Sequence, residues 1–434
     1  MKFLVLFFTL MLMSSMSLAT SCYQKKGVNG PAPLAPESIQ SEEGWNEAFA
    51  DIFRVLCKNL KTPNRLFKGH RAHPGPNYRG AYLWDSAFIM QLWMYWDTRI
   101  AQELVHWILR FQTADGLLPH AIAEILVKPV RIHDSQPPLL AWASWRIYER
   151  SQDKKFLARI YPGLKKYHEW LKRERRHPDG LYFWKTPYES GIDNSPRFAN
   201  RRESWFDDTT KLASVDVSSY VALSTEALSR MAAVLGLSED QKILNQDYAS
   251  LKRVMNEKLW DDVDGTYYDY DYRTLGFVRI NTISNLTPMV AGIPDDFKAA
   301  RLMRDIMDPA RYNTLMPFPS VARDDKTFVK DMWRGPVWVN MAYLGVLGVE
   351  RYGYHREATD LSYAVVKGIF ETWKNTGNFY EFYDPERYDV KELTRKKGNW
   401  WKRLTLGKKP VKNLVGWTGL ANSLVYEFGD RWEK

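Results

Sequence analysis

The chain has 434 residues, 45% of them apolar and 26% charged. That suffices for the core of one large domain or two ordinary ones and excludes a globally disordered protein. Its net charge of +10 would favour an anionic partner, but there is no nucleic-acid motif, phosphate loop, Cys/His metal cluster or Ser-His-Asp context to give that charge a function. The 18 tryptophans are a surplus, and surplus Trp serves either as core filling or as flat platforms for sugar rings and bases.

Residues 1–21 are expected to be a signal peptide. Lys2 gives a positive start, Phe3 to Leu12 is an apolar run too short for a comfortable membrane span, and Ser17-Leu18-Ala19 fits a small-x-small cleavage site. The protein is therefore expected to be exported, to the periplasm, the outer membrane or the medium. Leu18-Ala19-Thr20-Ser21-Cys22 also resembles a bacterial lipoprotein box, in which a lipidated Cys22 would attach the chain to a membrane. A Cys22–Cys57 disulfide is the third option, with Cys57 otherwise a plain buried thiol on the first helix.

Residues 22–41, with Pro31, Pro33 and Pro36, look like a flexible lead-in to one domain over 42–434. From Trp45 onward apolar residues recur at three- and four-residue steps. Helices are expected near 42–61, 82–96, 97–113, 134–151, 154–175, 212–236, 238–258, 282–292, 294–308, 335–352, 354–374 and 416–431. The β-branched and aromatic stretch from Thr266 to Val278 is expected to be a β-hairpin.

The links are very short after even-numbered helices, around Asp97, Gln152-Asp153, Gly236, Gly292 to Pro294, and Gly353. After odd-numbered helices they are long: 62–81, 114–133, 176–211, 259–281, 309–334 and 375–415. Six helical hairpins with all their long loops at one end predict an all-α fold, an (α/α)6 barrel, whose long loops build a site on one face.

Two loop carboxylates are the candidates for chemistry there. Asp193 lies in Glu189-Ser190-Gly191-Ile192-Asp193-Asn194-Ser195-Pro196, a short loop that can hold a carboxyl rigidly. Glu381 is flanked by Phe379, Tyr380, Phe382 and Tyr383. Hydrolysis of a glycoside with inversion needs one carboxylic acid to protonate the leaving oxygen and one carboxylate to activate water, roughly 6.5–9.5 Å apart. Asp193 would be the general acid and Glu381 the general base. The other candidates open the even-numbered helices at the same rim: Tyr82, Trp84 and Asp85; Gln136; Trp333 and Trp338; Trp417. Trp84 offers a sugar-stacking face, and Gln136 can both donate to and accept from hydroxyls.

Six segments carry a family resemblance: YLWDSAF at 82–88, SQPP at 135–138, ESGIDNSPRF at 189–198, WRGPVW at 333–338, FYEFYDP at 379–385 and GWTG at 416–419. Together the chain resembles glycoside hydrolase family 63 and, within it, the compact mannosylglycerate hydrolases, with the trehalases as more distant kin. The resemblance implies an (α/α)6 barrel, an inverting mechanism, Asp193 as acid and Glu381 as base. It implies that Tyr82, Trp84, Asp85, Gln136, Gly191, Trp333, Trp338 and Trp417 line the sugar site, with a carbohydrate as partner and no cofactor or metal.

One departure is the segment from Glu386 to Val415, which holds ten Lys/Arg against three acids and carries Trp400 and Trp401. It is either a solvated flap or a contact for an anionic substrate end, glycan or membrane surface. Arg201 and Arg202 could bind a carboxylate aglycone. Two other functions fit the same framework. One is a non-catalytic carbohydrate-binding barrel. The other is a sugar epimerase drawing on His73, His120 and His133, though no pair of these sits in a recognisable context.

Overall fold

The computed structural model of the protein describes residues 23–65, 68–123, 128–131, 133–198, 207–395 and 408–432. The expected signal peptide, Cys22, Arg201, Arg202, Trp400, Trp401 and the middle of the basic segment lie outside these residues.

Among the described residues twelve helices carry the fold: α1 Trp45–Asn59, α2 Leu83–Trp96, α3 Thr98–Leu109, α4 Leu140–Ser151, α5 Lys154–Glu174, α6 Val215–Leu235, α7 Ser238–Lys258, the single turn α8 Thr287–Val290, α9 Asp296–Met307, α10 Val339–Arg351, α11 His355–Thr376 and α12 Leu420–Phe428. The even-numbered helices pack in sequence, α2 on α4, α4 on α6, α6 on α8, α8 on α10, α10 on α12 and α12 back on α2. Their composition explains why these six are inside. Every residue of α2 from Leu83 to Met94 is buried, because a helix that is apolar all round has no face to give to water. The outer helices are one-sided: α5 buries Phe156, Leu157, Ile160, Tyr161, Leu164 and Leu171 at helical spacing and exposes Lys154, Lys155 and Lys166.

At one end the links are tight and their chemistry is local. Asp97, Asp153 and Asp295 each cap the following outer helix, accepting from the backbone N–H of Arg99, Phe156 and Lys298. Gly236 closes α6 at φ 77°, a conformation glycine adopts without strain.

At the other end the long links are not structureless, and the all-α expectation needs correction. They form four small antiparallel sheets: β1 (Leu60–Lys61) with β2 (Arg71–Ala72); β3 (Gly80–Tyr82) with β4 (Ala121–Ala123) and β5 (Lys128–Val130); β6 (Leu212–Ala213) with β9 (Asp269–Asp271) and β10 (Gly276–Val278); and β7 (Trp260–Asp261) with β8 (Thr266–Tyr267). The physical reason is that buried loop backbone must find hydrogen-bond partners, and neighbouring loops supply them. The hairpin expected over 266–278 is realised only as β9–β10, while Thr266 and Tyr267 pair back onto Trp260 and Asp261.

The lead-in is held to the helical body. Lys26 Nζ donates to the carbonyls of Cys57 at 2.7 Å and Leu60 at 2.5 Å, satisfying the C-terminal end of α1. Asn29 N donates to Asp97 Oδ2 at 2.9 Å, and Ile39 is fully buried. Cys57 is disulfide-bonded rather than a plain buried thiol. The sequence contains one other cysteine, Cys22. No helix among the described residues is long and apolar enough to cross a membrane.

Candidate active site

The Asp193 loop begins as a 3-10 turn, Pro187–Ser190, and ends in another, Pro196–Phe198. Ser190 Oγ donates to Pro187 O at 2.6 Å and accepts from Ile192 N at 3.0 Å, so the chain reverses tightly just before the aspartate. The loop's other acid, Glu189, is a brace. It is fully buried, takes Nε and Nη2 of Arg175, and accepts the backbone N–H groups of Ser135 (2.7 Å) and Lys185 (2.8 Å). Arg197 anchors the far end. It is buried between Asp216, at the start of α6, and Asp269 on β9, whose Oδ2 it meets at 3.1 Å. Asp193 itself is 8% exposed, and its neighbour Asn194 accepts from Trp333 N at 3.0 Å.

Glu381 comes from the last long loop and is 1% exposed. Its backbone is gripped from three sides. Its N–H donates to Val411 O, its carbonyl accepts from Trp417 Nε1 at 2.8 Å, and Tyr383 pairs with Val337 in both directions at 2.9 Å. The carboxylate is equally constrained. Tyr78 OH donates to Oε1 at 2.5 Å and Arg395 Nε donates to Oε2 at 2.6 Å. Arg395 Nη2 also donates to Tyr78 OH at 2.7 Å, closing a triangle. Burial works against the charge of the Arg395 guanidinium, but Glu381 and Tyr78 outweigh it and favour the charged form.

All ten residues singled out from the sequence line one pocket with an empty volume of about 420 Å³: Tyr82, Trp84, Asp85, Gln136, Gly191, Asp193, Trp333, Trp338, Glu381 and Trp417. The tryptophans form its floor. Trp333 and Trp338 stack at 3.7 Å with 7° between planes, and Trp417 lies 5.5 Å from Trp338 and 6.0 Å from Trp84. They are 2–5% exposed, so they are wall and core at once.

Three further residues complete the lining and were not assigned to the sugar site from the sequence: Tyr78, His120 and Tyr188. Gln136 Oε1 accepts from Trp84 N at 3.3 Å, so its amide N–H faces His120 Nε2 at 3.2 Å. That nitrogen must accept, which leaves the His120 proton on Nδ1, donating to Ser135 O at 3.1 Å. The ring stacks on Tyr188 at 4.5 Å. His120 was considered only as an epimerase base; here Nε2 accepts from Gln136 and Nδ1 donates to Ser135 O. Arg395 was counted among the flap cations, and no local signal separates it from its neighbours. No group of three or more His, Cys, Asp or Glu side chains among the described residues is arranged to hold a metal ion.

Residues 78–396 match the family model of the mannosylglycerate hydrolase MGH1-like glycoside hydrolase domain. A mannosylglycerate hydrolase from Rubrobacter radiotolerans is 28% identical over 73% of this chain and 88% of its own. A crystal structure of a family 63 mannosylglycerate hydrolase from Thermus thermophilus in complex with glucose superposes with a TM-score of 0.71 at 21% identity, covering 86% of this chain and 98% of that one. The neutral trehalase of Saccharomyces cerevisiae has a TM-score of 0.65 at 15% identity, over 83% of this chain and 74% of its own. Those two structural likenesses are of fold.

Proposed function

The chain belongs to the mannosylglycerate hydrolase MGH1-like glycoside hydrolases, and on that premise we propose that it is an inverting glycosidase. Its substrate is an α-glucoside or α-mannoside, of the glucosylglycerate or mannosylglycerate kind or a small oligosaccharide. The carrying observation is that Asp193 and Glu381, from loops far apart in the chain, line one aromatic-floored pocket. The closed succession of even-numbered helices supports reading the frame as an (α/α)6 barrel, which delivers both loops to one mouth.

In this mechanism Asp193 gives its proton to the glycosidic oxygen as the C1–O bond breaks and the aglycone leaves as an alcohol. Water attacks C1 from the opposite face and loses a proton to Glu381, so the anomeric configuration inverts. Glu381 must be ionised at the start, and the charged Arg395 beside it favours that state. Asp85 and Gln136 are placed to hold sugar hydroxyls over the tryptophan floor. The disulfide at Cys57 supports the further proposal that the protein works in an oxidising compartment after export.

Proton NMR of the anomer first released from a panel of α-glucosides and α-mannosides tests this reading. Inverted product from the wild type, and loss of turnover by about 10²-fold or more in Asp193→Asn and Glu381→Gln with binding retained, are expected. Wild-type-like turnover in either variant ends the assignment, and sugar binding without any product favours a binding protein instead.

A further inference from the structure

Glu381 presents a problem that the two-carboxylate mechanism does not solve. Its side chain is 1% exposed and Phe379, Tyr380, Phe382 and Tyr383 around it are all buried. Burial disfavours the charged form of a carboxyl, and a protonated carboxyl cannot take a proton from water. The base therefore needs a counter-charge that is itself dry and fixed. Arg395 is 4% exposed and bonds the carboxylate at Oε2, while the Tyr78 hydroxyl holds Oε1. Oε1 thus accepts from Tyr78 and, at 3.4 Å, from Arg395 Nη2, and Oε2 accepts from Arg395 Nε.

Arg395 is delivered to this place by a clip outside the pocket. Thr394 N donates to Lys330 O at 2.9 Å and Thr394 Oγ1 donates to Asp331 Oδ1 at 2.8 Å. The other oxygen of Asp331 accepts from Asn194 Nδ2 at 3.2 Å, next to Asp193. A continuous line of contacts thus runs from the acid loop through Asn194, Asp331 and Thr394 to Arg395 and the base. Lys330 holds the same stretch from its other side by pairing with Asp384, Glu386 and Glu392.

We propose that Arg395 is the positioning residue of Glu381. It holds the carboxylate ionised and in one orientation, and the Asp331–Thr394 clip ties its placement to the acid loop. This rests on the reading of Glu381 as general base. One consequence is that the start of the basic segment belongs to the active site instead of to a solvated flap.

The test is the pH profile of kcat/KM for wild type, Arg395→Gln, Arg395→Lys and Thr394→Val, with thermal unfolding run alongside. Among the described residues the charged and titratable groups facing Glu381 include Arg395 and Tyr78, with Tyr82, Asp85, His120, Tyr188 and Asp193 in the same pocket. Arg395→Gln should lower kcat by about 10²-fold, within the 10²–10⁴-fold span of a general base, and move the acidic limb up by about one pH unit or more. Arg395→Lys should restore the limb but only part of kcat, since a point charge lacks the fork of the guanidinium. Thr394→Val, which touches neither carboxylate, should shift the limb in the same direction by less, and it keeps the test alive if Arg395→Gln does not fold. An acidic limb unmoved in Arg395→Gln and Thr394→Val, with kcat within twofold of wild type, overturns the proposal while Glu381→Gln remains inactive. A wild type that hydrolyses no α-glycoside overturns it together with the functional reading.

Discussion

A Cβ placed on Gly191 would lie 2.5 Å from Cζ2 and 2.7 Å from Cε2 of Trp84. The glycine also has φ 73°, in the left-handed region. The loop carrying Asp193 is therefore pressed against the tryptophan floor at the one residue where both the backbone conformation and the contact demand the absence of a side chain.

Gly191→Ala is expected to cost about 1–3 kcal/mol of stability through backbone strain and to displace the Asp193 loop. A displacement on the order of 1 Å at a catalytic group can lower the rate by about 10²-fold. A loss of kcat/KM larger than the stability change explains, measured below the unfolding temperature, is the expected result. Unchanged kinetics would mean the loop position is set elsewhere.

Arg197 ties three segments together through Asp216 and Asp269, and all three side chains are buried. Burial pushes the Asp269 carboxyl up to about 6, with Arg197 pulling against it and Asp216 adding to the rise. Arg197→Met leaves two buried carboxylates without their cation and should destabilise the fold by about 3–5 kcal/mol. Pairing it with Asp269→Asn should recover part of that loss. Urea unfolding of the single and double variants decides it, and strict additivity of the two changes would rule the pairing out.

Glu103 on α3 carries a pH dependence of known sign. Burial alone would raise its pKa, but the His70 ring and backbone N–H, both bonded to Oε2, outweigh that with help from Arg99 and hold it at about 2. Because the folded value lies below the ordinary 4.5, its contribution is present above about pH 4.5 and is lost as the pH falls toward 2. Glu103→Gln should therefore unfold with a shallower pH dependence over that window. Identical slopes for wild type and variant would show that the His70 contact carries no linkage.

The disulfide at Cys57 predicts that reductant lowers the unfolding temperature and that Cys57→Ser matches the reduced wild type. A native disulfide contributes on the order of 2–4 kcal/mol. Thiol titration of the unfolded, unreduced protein should find no free cysteine; two free thiols would remove both the bond and the argument for an oxidising compartment.

What the sequence alone determined here is what local chemistry encodes. Helical periodicity depends on neighbours within a few residues, so most of the helices and the short links could be read directly, while the helix expected over 282–292 is a 3-10 turn, Ile283–Leu286, followed by the single turn α8, and the one expected over 134–151 starts only at Leu140. The long links followed from the same reading; of the motif residues, Trp84 and Asp85 lie in the first turn of α2, while Gln136, Trp333 and Trp417 precede the helices they were expected to open. Only the tertiary structure decided how the side chains in those links are spent. Glu189 and Asp193 are both acids in one loop, yet one is consumed by Arg175 and two backbone N–H groups while the other lines the pocket. Arg395 is one of ten cations in its segment and, among the described residues, the one buried against Glu381. Tyr78 reaches that same carboxylate from the opposite end of the chain. Charge pairing and burial are set by proximity in space, and proximity across hundreds of residues exists only once the helices have closed on one another.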